Sequence, residues 1–368
     1  MTNPSPILLI GIGILLIGGV FLALQFITSD TPGDPIPPRP DPPGPGPGPT
    51  PNPTPTPGVE VEYAYSFEQF KSGNIDTILH CAGPLFNPEE YNGYVNTFSS
   101  TPPIMVRFNI GLEDNPRITF AQKVADIVED ITQTYPNEIP FLSITYTVRS
   151  HNAPADALDE EVVNGELDGK IRLLAQGVKA FNRPTFIRIA SEFNGNWNNY
   201  EKEYYADSYR HIVDLFREEG VDQAIFMWNY EALHTPFPYM EWYPGDEYVD
   251  WWSMDIFSLQ FENVKANANM IQFLEDAKAR GKPVILPESA PNSQDMEDPA
   301  TWNSWFAPYF ELINNPAYTI KGFCYSNRDF GKNDVELKEW GNMRIDQSDA
   351  LKGKYQEELK KEQYYHIE

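Results

Sequence analysis

The chain has 368 residues, a formal net charge of −26 and two cysteines. This charge argues against nucleic acid and anionic polymers as partners, while a neutral polymer would not be repelled. Two cysteines are too few for a disulfide-rich framework. The length allows one barrel of roughly 250–300 residues together with N-terminal segments.

The N-terminus carries a long apolar stretch. Residues 7–27 form a run of 21 residues without a charged side chain, enough to cross a bilayer of about 30 Å as a helix. We expect an uncleaved, single-pass transmembrane anchor within residues 1–30. A cleaved signal peptide is the alternative, but the run is long for such a peptide and no Lys or Arg precedes it.

A proline-rich segment follows the apolar stretch. Of the 28 residues 31–58, 14 are proline. Proline fixes φ and lacks a backbone donor, so neither a helix nor a paired strand is expected there. The segment is predicted to be a semi-rigid linker between the anchor and a domain formed by residues 59–368.

The domain from residue 59 alternates between two patterns. Stretches with the helical period, such as Phe120 to Ile131, Tyr205 to Phe216 and Met270 to Ala277, separate short β-rich runs. The runs are residues 77–81, 103–110, 140–148, 184–190, 224–228, 248–257, 283–286 and 320–325. Eight strands with intervening helices predict the α/β class and a (β/α)8 (TIM) barrel. An open doubly wound sheet is less well supported, because no glycine-rich phosphate loop follows the first strand.

Two glutamates end predicted strands at the same end of the barrel. Glu192 follows the fourth strand and Glu288 the seventh, and catalytic groups of such barrels lie at the carboxyl ends of the strands. Arg188, four residues before Glu192, is expected to point the same way and to hold one carboxylate ionised. Such a carboxylate pair is typical of glycosidic bond hydrolysis.

Cys81 and Cys324 fall in the first and eighth predicted strands. These strands are neighbours in a closed barrel, about 4.8 Å apart, so the thiols are expected to be close. We expect two free thiols, since adjacent parallel strands rarely offer disulfide geometry, and a bridge in an oxidising exterior is the alternative. No metal-ligand spacing occurs, and neither a metal nor another cofactor is predicted.

Three segments resemble glycoside hydrolase family 26, the β-mannanase-like family. Residues 188–197, RIASEFNGNW, resemble its R-x-x-H-E-x-N-G-x-W motif. Residues 243–251, YPGDEYVDW, are similar to its Y-P-G-D-x-Y-V-D-W stretch. Residues 282–288, KPVILPE, resemble its nucleophile strand. The resemblance implies a retaining (β/α)8-barrel glycosidase that hydrolyses a neutral polysaccharide.

The same resemblance implies roles for individual residues. Glu192 would be the general acid/base, Glu288 the nucleophile and Arg188 the residue that orients the nucleophile. Six further residues are candidates for substrate binding: Asn194, Trp197, Trp228, Trp251, Asp255 and His151.

The chain departs from the family pattern at several positions. Ser191 replaces the family's histidine, Asp255 is followed by Ile256 and Phe257 without the expected tyrosine, and Tyr325 to Asn327 replace the usual tryptophan platform. Two functions therefore stay open. One is a membrane-anchored, extracellular endo-β-glycanase, and the other is a non-catalytic carbohydrate-binding or cell-surface module on the same barrel.

Overall fold

The computed structural model describes residues 62–85, 87–150, 153–231, 236–258, 261–262, 265–333 and 337–367. The predicted transmembrane segment, residues 1–30, and the predicted linker, residues 31–58, lie outside the described residues. Among the helices of the described ranges, none has both the length and the apolar character needed to span a bilayer.

Eight parallel strands form a closed barrel. We number them β1 to β8 in chain order: Ile78–Ala82, Met105–Gly111, Ile139–Thr145, Thr185–Ile189, Ala224–Glu231, Trp251–Asp255, Val284–Ser289 and Ile320–Tyr325. Each strand pairs with the next, and β8 pairs with β1 to close the ring. Every predicted strand is present, so the prediction of a closed (β/α)8 barrel is confirmed.

Helices surround the barrel. They are α1 Phe67–Ser72, α2 Pro88–Thr97, α3 Phe120–Glu129, α4 Asp159–Val163, α5 Asp168–Lys179, α6 Lys202–Glu218, α7 Ala268–Ala279, α8 Ala307–Ile313, α9 Phe330–Asn333 and α10 Lys352–Leu359. The stretches predicted from the helical period are α3, α6 and α7. Thr119 and Asn267 cap α3 and α7 by accepting backbone N–H groups, which satisfies donors that a helix start leaves free.

Short elements complete the fold. Two hairpins are formed by Thr147–Ser150 with Ala153–Ala157 and by Phe261–Glu262 with Lys265–Ala266. Two π-helical turns are present: Asp130–Thr134 follows α3, and Trp302–Phe306 precedes α8. Single 3-10 turns lie at Tyr239–Trp242, Lys338–Trp340 and Ile345–Gln347. The C-terminal strand Tyr364–Tyr365 pairs with the start of β1.

The lower half of the barrel interior is apolar. Inward side chains from successive strands form one buried cluster, which we call the apolar floor: Leu79, Cys81, Met105, Phe141, Phe186, Ile225, Met227, Trp251, Ile285 and Cys324. Helix α1 covers this end of the barrel. The Trp251 indole N–H donates to the carbonyl oxygen of Phe70, in this helix, at 2.9 Å. A polar site inside the barrel must therefore open at the other end, where the strands terminate.

Cys81 and Cys324 face each other across the β1–β8 seam. They are register partners with their Cα atoms 4.1 Å apart, so the predicted proximity is confirmed. The structure joins them in a disulfide, and the expectation of two free thiols is wrong. The bond links residues 243 positions apart in sequence and fastens the first barrel strand to the last.

We expect the oxidised protein to carry no free thiol. Maleimide labelling under denaturing conditions should modify neither cysteine before reduction and both afterwards, as read by intact mass. The Cys81→Ala/Cys324→Ala variant should lose about 2–5 kcal/mol of unfolding free energy, the usual effect of removing a native disulfide. Labelling of both cysteines without reductant would contradict the bond.

Candidate active site

A layer of charged side chains lies directly above the apolar floor. Side chains alternate along a strand, so a residue two positions after a floor residue also points into the barrel. It lies one layer nearer to the carboxyl ends of the strands. Phe186 is followed in this way by Arg188 on β4, and Arg188 stacks over the Phe141 ring at 5.8 Å. We call the six ionisable members of this group the charged layer: Arg107, Arg188, Glu192, Glu231, Asp255 and Glu288. Each is at most 4% exposed.

Glu288 points inward because β7 is irregular. Ile285 belongs to the apolar floor, so strict alternation would turn Glu288 outward. The pairing of β7 with β8 shifts register between Leu286 and Ser289, and this irregularity brings Glu288 into the barrel. Irregular strand positions of this kind are frequent next to active sites, where they re-aim a side chain.

Two guanidinium groups hold the Glu288 carboxylate. Its Oε1 atom lies 2.9 Å from Nη1 of Arg107 and in direct contact with Nη2 of Arg188. Arg107 also donates to the Pro287 carbonyl oxygen at 2.7 Å. Charge-assisted hydrogen bonds from two sides fix both the position and the orientation of the carboxylate.

Arg188 links three strands. Its Nε donates to Ser143 Oγ at 2.8 Å on β3, and its Nη1 lies 3.1 Å from Asp255 Oδ2 on β6. Burial alone would lower the pKa of this guanidinium, but the charges of Glu288 and Asp255 outweigh it and raise the pKa. Burial lowers the pKa of Arg107 to about 10, so both groups are cations at neutral pH.

Glu192 lies in a strained turn after β4. Ala190 and Glu192 have φ values of +49° and +50°, a conformation that costs of order 1–3 kcal/mol per residue outside glycine. Hydrogen bonds to the end of β5 hold the turn: the Glu192 backbone N–H donates to Asn229 Oδ1 at 2.7 Å. Asn194 donates to the Glu231 carbonyl at 2.7 Å and accepts the Glu231 N–H at 2.9 Å.

The surroundings of Glu192 suit a group that gives and retakes a proton. Burial, followed by the negative charge of Glu288, raises the pKa of Glu192 to about 7. The Trp197 indole N–H opposes this by donating to Glu192 Oε2 at 2.8 Å. A carboxyl group with a pKa close to neutrality exchanges its proton efficiently at physiological pH.

Gly195 makes the contact between Trp197 and Glu192 possible. A Cβ atom at residue 195 would lie 2.3 Å from Cε2 of the Trp197 ring, far inside van der Waals contact. The glycine therefore allows the indole to pack on the backbone of the turn, where its N–H reaches the carboxylate.

Three carboxyl groups converge at the top of the charged layer. Oxygen atoms of Glu192, Glu231 and Asp255 lie within 4.8 Å of one another. Among the residues that the structure describes, this group has the spacing to surround a cation, and carboxylate oxygens suit Mg²⁺ or Ca²⁺. The Arg188 guanidinium already supplies a positive charge to Asp255, and we assign no metal.

The structure places the predicted site residues in different parts of the barrel. Arg188, Glu192, Asp255 and Glu288 come together in the charged layer, with Trp197 in contact with Glu192. Asn194 uses its amide to bridge to the β5 backbone. His151 lies outside the described residues.

Two of the predicted sugar-binding tryptophans lie away from the charged layer and the mouth of the barrel. Trp228 is fully buried outside the barrel wall, stacked on Phe193 with ring centroids 4.8 Å apart. Trp251 is fully buried in the apolar floor, at the end of the barrel that α1 closes. Neither ring can reach a sugar at the mouth of the barrel, so the prediction that these two residues line subsites is corrected.

The sequence interpretation missed Arg107, Asn229 and Glu231. Arg107 lies inside the second predicted run, in β2, and Asn229 and Glu231 lie at alternate positions of β5, just beyond the predicted end of that strand at residue 228. Alternate polar positions in a buried strand mark one lined face of the barrel. The same signal had identified Arg188.

The indole contact gives a prediction for the proton affinity of Glu192. Trp197→Phe removes the N–H that stabilises the Glu192 carboxylate, so the pKa of Glu192 should rise above its value of about 7. ¹³C NMR of glutamate carboxyl groups measures this titration, with Glu192→Gln identifying the signal. Trp302→Phe, a half-buried tryptophan whose ring stacks on Phe306, is the matched control. An unchanged titration in Trp197→Phe would contradict the role of the indole.

Known proteins resemble this chain in sequence. A β-1,3-xylanase from Vibrio sp., TXYA, is 28% identical over 226 residues, covering 54% of this chain and 48% of the relative. A β-1,3-xylanase from Alcaligenes sp. is 24% identical over 299 residues, covering 74% and 61%. The chain thus spans between about half and three fifths of these relatives.

Solved structures resemble the fold. The catalytic domain of a Bacillus sp. JAMB-750 family 26 endo-β-1,4-mannanase aligns with a TM-score of 0.58 at 19% identity, covering 82% of this chain and 89% of that domain. A Bacteroides ovatus family 26 β-mannanase aligns with a TM-score of 0.56 at 17% identity, covering 82% and 93%. At these identities the likeness concerns the barrel alone.

The sequence model of glycosyl hydrolase family 26 matches residues 124–316, which include β4 to β7 and both glutamates. The chain belongs to glycosyl hydrolase family 26.

Proposed function

We propose that the protein is a retaining endo-β-glycanase that hydrolyses a neutral polysaccharide by double displacement. The observation that carries this proposal is the contrast between its two glutamates. Glu288 is held by two guanidinium groups, whereas burial and the Glu288 charge raise the pKa of Glu192 to about 7. A buried carboxyl group with a raised pKa, beside a second carboxyl group that pairs with cations, is the arrangement expected of the acid and the nucleophile of a glycosidase.

The residues divide the reaction into two steps. In the first, Glu288 attacks the anomeric carbon while Glu192 gives its proton to the departing glycosidic oxygen, and a covalent glycosyl-enzyme forms. In the second, Glu192 takes a proton from water as the water attacks the same carbon and releases Glu288. Arg107 and Arg188 keep the nucleophile oriented throughout, and Asp255 balances the charge of Arg188.

For the substrate, the sequence relatives favour β-1,3-xylan. Both curated relatives described above are β-1,3-xylanases, whereas the mannanase structures share less than 20% identity with this chain. The substitution of Ser191 for the family histidine, beside the acid/base, also separates this chain from the β-mannanase pattern. β-1,4-Mannan remains the second substrate to test.

The proposal extends to the N-terminal segments. The apolar run of 21 residues and the proline-rich linker support a single-pass anchor that presents the domain outside the cell. The Cys81–Cys324 disulfide supports an oxidising compartment. On cell fractionation, the whole chain should sediment with membranes and residues 59–368 alone should remain in the supernatant. Recovery of both in the supernatant would refute the anchor.

Activity measurements test the two glutamates. Residues 59–368 should release reducing oligosaccharides from one member of a panel of β-1,3-xylan, β-1,4-mannan and β-glucans. Glu288→Ala should abolish hydrolysis of all substrates, because no glycosyl-enzyme can form. Glu192→Ala should lose activity on polysaccharide, yet retain cleavage of aryl glycosides with good leaving groups and be stimulated by azide.

Exposed Glu357 provides the matched control, since Glu357→Ala should behave as wild type. Wild-type rates in both active-site variants would refute the assignment. Binding of a polysaccharide without cleavage of any panel member would favour the alternative, a non-catalytic carbohydrate-binding module.

A further inference from the structure

Asn198 is a buried polar residue close to Glu192 that the proposed mechanism does not use. It is 1% exposed, and its backbone N–H donates to the Gly195 carbonyl oxygen at 3.1 Å. Its side-chain Nδ2 donates to the carbonyl oxygens of Ser191 at 2.9 Å and of Glu192 at 3.2 Å. The Asn198 amide therefore closes residues 191–198 into a loop, which we call the acid/base loop.

The acid/base loop carries both Glu192 and a donor to its carboxyl group. Trp197 directly precedes Asn198, and its indole N–H donates to Glu192 Oε2 at 2.8 Å. Asn198 ties this end of the loop to the Glu192 peptide group. The position of the indole relative to the carboxyl group therefore depends on the Asn198 amide.

A second buried amide holds Glu192 from the side of β5. Asn229, which is fully buried, accepts the Glu192 backbone N–H at its Oδ1 atom, at 2.7 Å. The Glu192 carbonyl oxygen also accepts the Gly195 N–H at 2.9 Å. Hydrogen bonds thus fix both backbone polar groups of a residue with a φ of +50°, and such a conformation persists only where its surroundings determine it.

The Asn198 amide has one orientation that fits this loop. Its nitrogen faces two carbonyl oxygens, which only accept hydrogen bonds. A turned-over amide would place oxygen against oxygen at the same positions. Asn198 is therefore required as a donor, and a side chain without a donor would leave both carbonyl groups without this contact.

We propose that Asn198 is a positioning residue of the proton-transfer steps, which holds Glu192 and the Trp197 indole in contact. This inference rests on the proposed function, in which Glu192 gives a proton to the glycosidic oxygen and later takes one from water. Proton transfer requires heavy atoms about 2.6–3.2 Å apart, so relaxation of the strained loop moves the carboxyl group out of reach. A relaxed loop also withdraws the indole N–H, which favours the carboxylate form, and leaves Glu192 a weaker acid.

Asn198→Ala should impair the steps that need Glu192. On polysaccharide, kcat/KM should fall about 10- to 100-fold, since a misplacement of about 1 Å can cost on the order of 100-fold. On aryl glycosides with good leaving groups, kcat/KM should stay close to wild type, because departure of such groups needs no proton. Equal losses of kcat/KM on both substrate types would indicate general damage to the site and overturn the proposal.

A comparison in two backgrounds shows whether Asn198 acts through Glu192. With activated aryl glycosides, the slow step becomes the attack of water on the glycosyl-enzyme, which uses Glu192 as the base. Asn198→Ala should lower this kcat in the wild type and leave it unchanged in Glu192→Ala, where the positioned group is absent. The same loss in both backgrounds would show that Asn198 acts elsewhere, and the inference would fail.

Asn267→Ala is the matched control. Asn267 is also a buried asparagine, 4% exposed, and its Oδ1 accepts the Met270 N–H at 2.9 Å at the start of α7, outside the barrel. This variant should be less stable than the wild type and keep its kcat/KM. A loss in Asn267→Ala as large as that in Asn198→Ala would overturn the proposal.

A milder variant guards against loss of folding. Asn198→Ser keeps a hydroxyl donor at the buried position and should show the changes of Asn198→Ala in weaker form. If Asn198→Ala does not fold, the difference between the two substrate types in Asn198→Ser decides in its place. Wild-type kcat/KM on polysaccharide in every folded Asn198 variant would contradict the inference.

A titration that needs no activity completes the test. ¹³C NMR of glutamate carboxyl groups should give Glu192 a higher pKa in Asn198→Ala than its wild-type value of about 7, because the indole N–H lowers that pKa. The ionisable groups that face Glu192 from β4, β5, β6 and β7 are the same in each variant: Arg188, Glu231, Asp255 and Glu288.

The alkaline limb of kcat/KM on polysaccharide should move to higher pH together with this pKa, and Asn267→Ala should change neither. An unchanged Glu192 titration in Asn198→Ala would overturn the inference. Absence of hydrolysis by the wild type would instead refute the proposed function, while the titration would still decide whether Asn198 holds the indole against Glu192.

Discussion

The contact of Arg107 and Arg188 with Glu288 is the interaction on which the rest of the site depends. Each of these groups is almost completely withdrawn from water, at a desolvation cost of several kcal/mol per ion. Their mutual attraction offsets that cost only while all three are present, and removing one partner of a buried pair typically costs 3–5 kcal/mol. The nucleophile candidate is thus also part of the structural core.

The barrel makes this arrangement possible. The apolar floor and α1 close the lower end, and the Arg188 guanidinium lies over the Phe141 ring of that floor. The disulfide between β1 and β8 holds the ring together on that same level. The strained Glu192 turn is then fixed by hydrogen bonds from β5, whose Asn229 and Glu231 meet the residues that follow β4. The apolar floor below the site and the β5 hydrogen bonds beside it therefore fix the positions of Glu192 and Glu288 relative to each other.

Much of the fold and part of the site could be predicted from sequence. The eight strands were found because both faces of a barrel strand are buried, which gives short apolar runs separated by amphipathic helices. Arg188 was found because alternation along β4 turns it inward, and Glu192 because it directly follows the carboxyl end of that strand, although the turn that positions it is not strand-like. The same alternation, applied to β5, excludes Trp228 from the interior, because Met227 and Asn229 on either side of it point inward.

The placement of other site residues depends on strand register and barrel closure, which the local sequence pattern does not contain. Trp251 does point inward, but it lies in the apolar floor and not at the mouth of the barrel. Its position along the barrel axis follows from the register between strands, which the local sequence pattern does not show. The inward direction of Glu288 depends on the irregular pairing after Leu286. Arg107 reaches Glu288 across the barrel, 181 residues away in sequence, so only the closed ring reveals that the nucleophile candidate has two cationic partners.

Trapping of the glycosyl-enzyme tests the central claim most directly. A 2-deoxy-2-fluoro glycoside of the sugar that the protein hydrolyses should inactivate it with one equivalent of label, and peptide mass spectrometry should locate that label on Glu288. Arg188→Met should slow this labelling strongly, because the carboxylate loses one of its two guanidinium partners. Label on another residue, or steady turnover of the reagent with inversion at the anomeric carbon, would contradict the account.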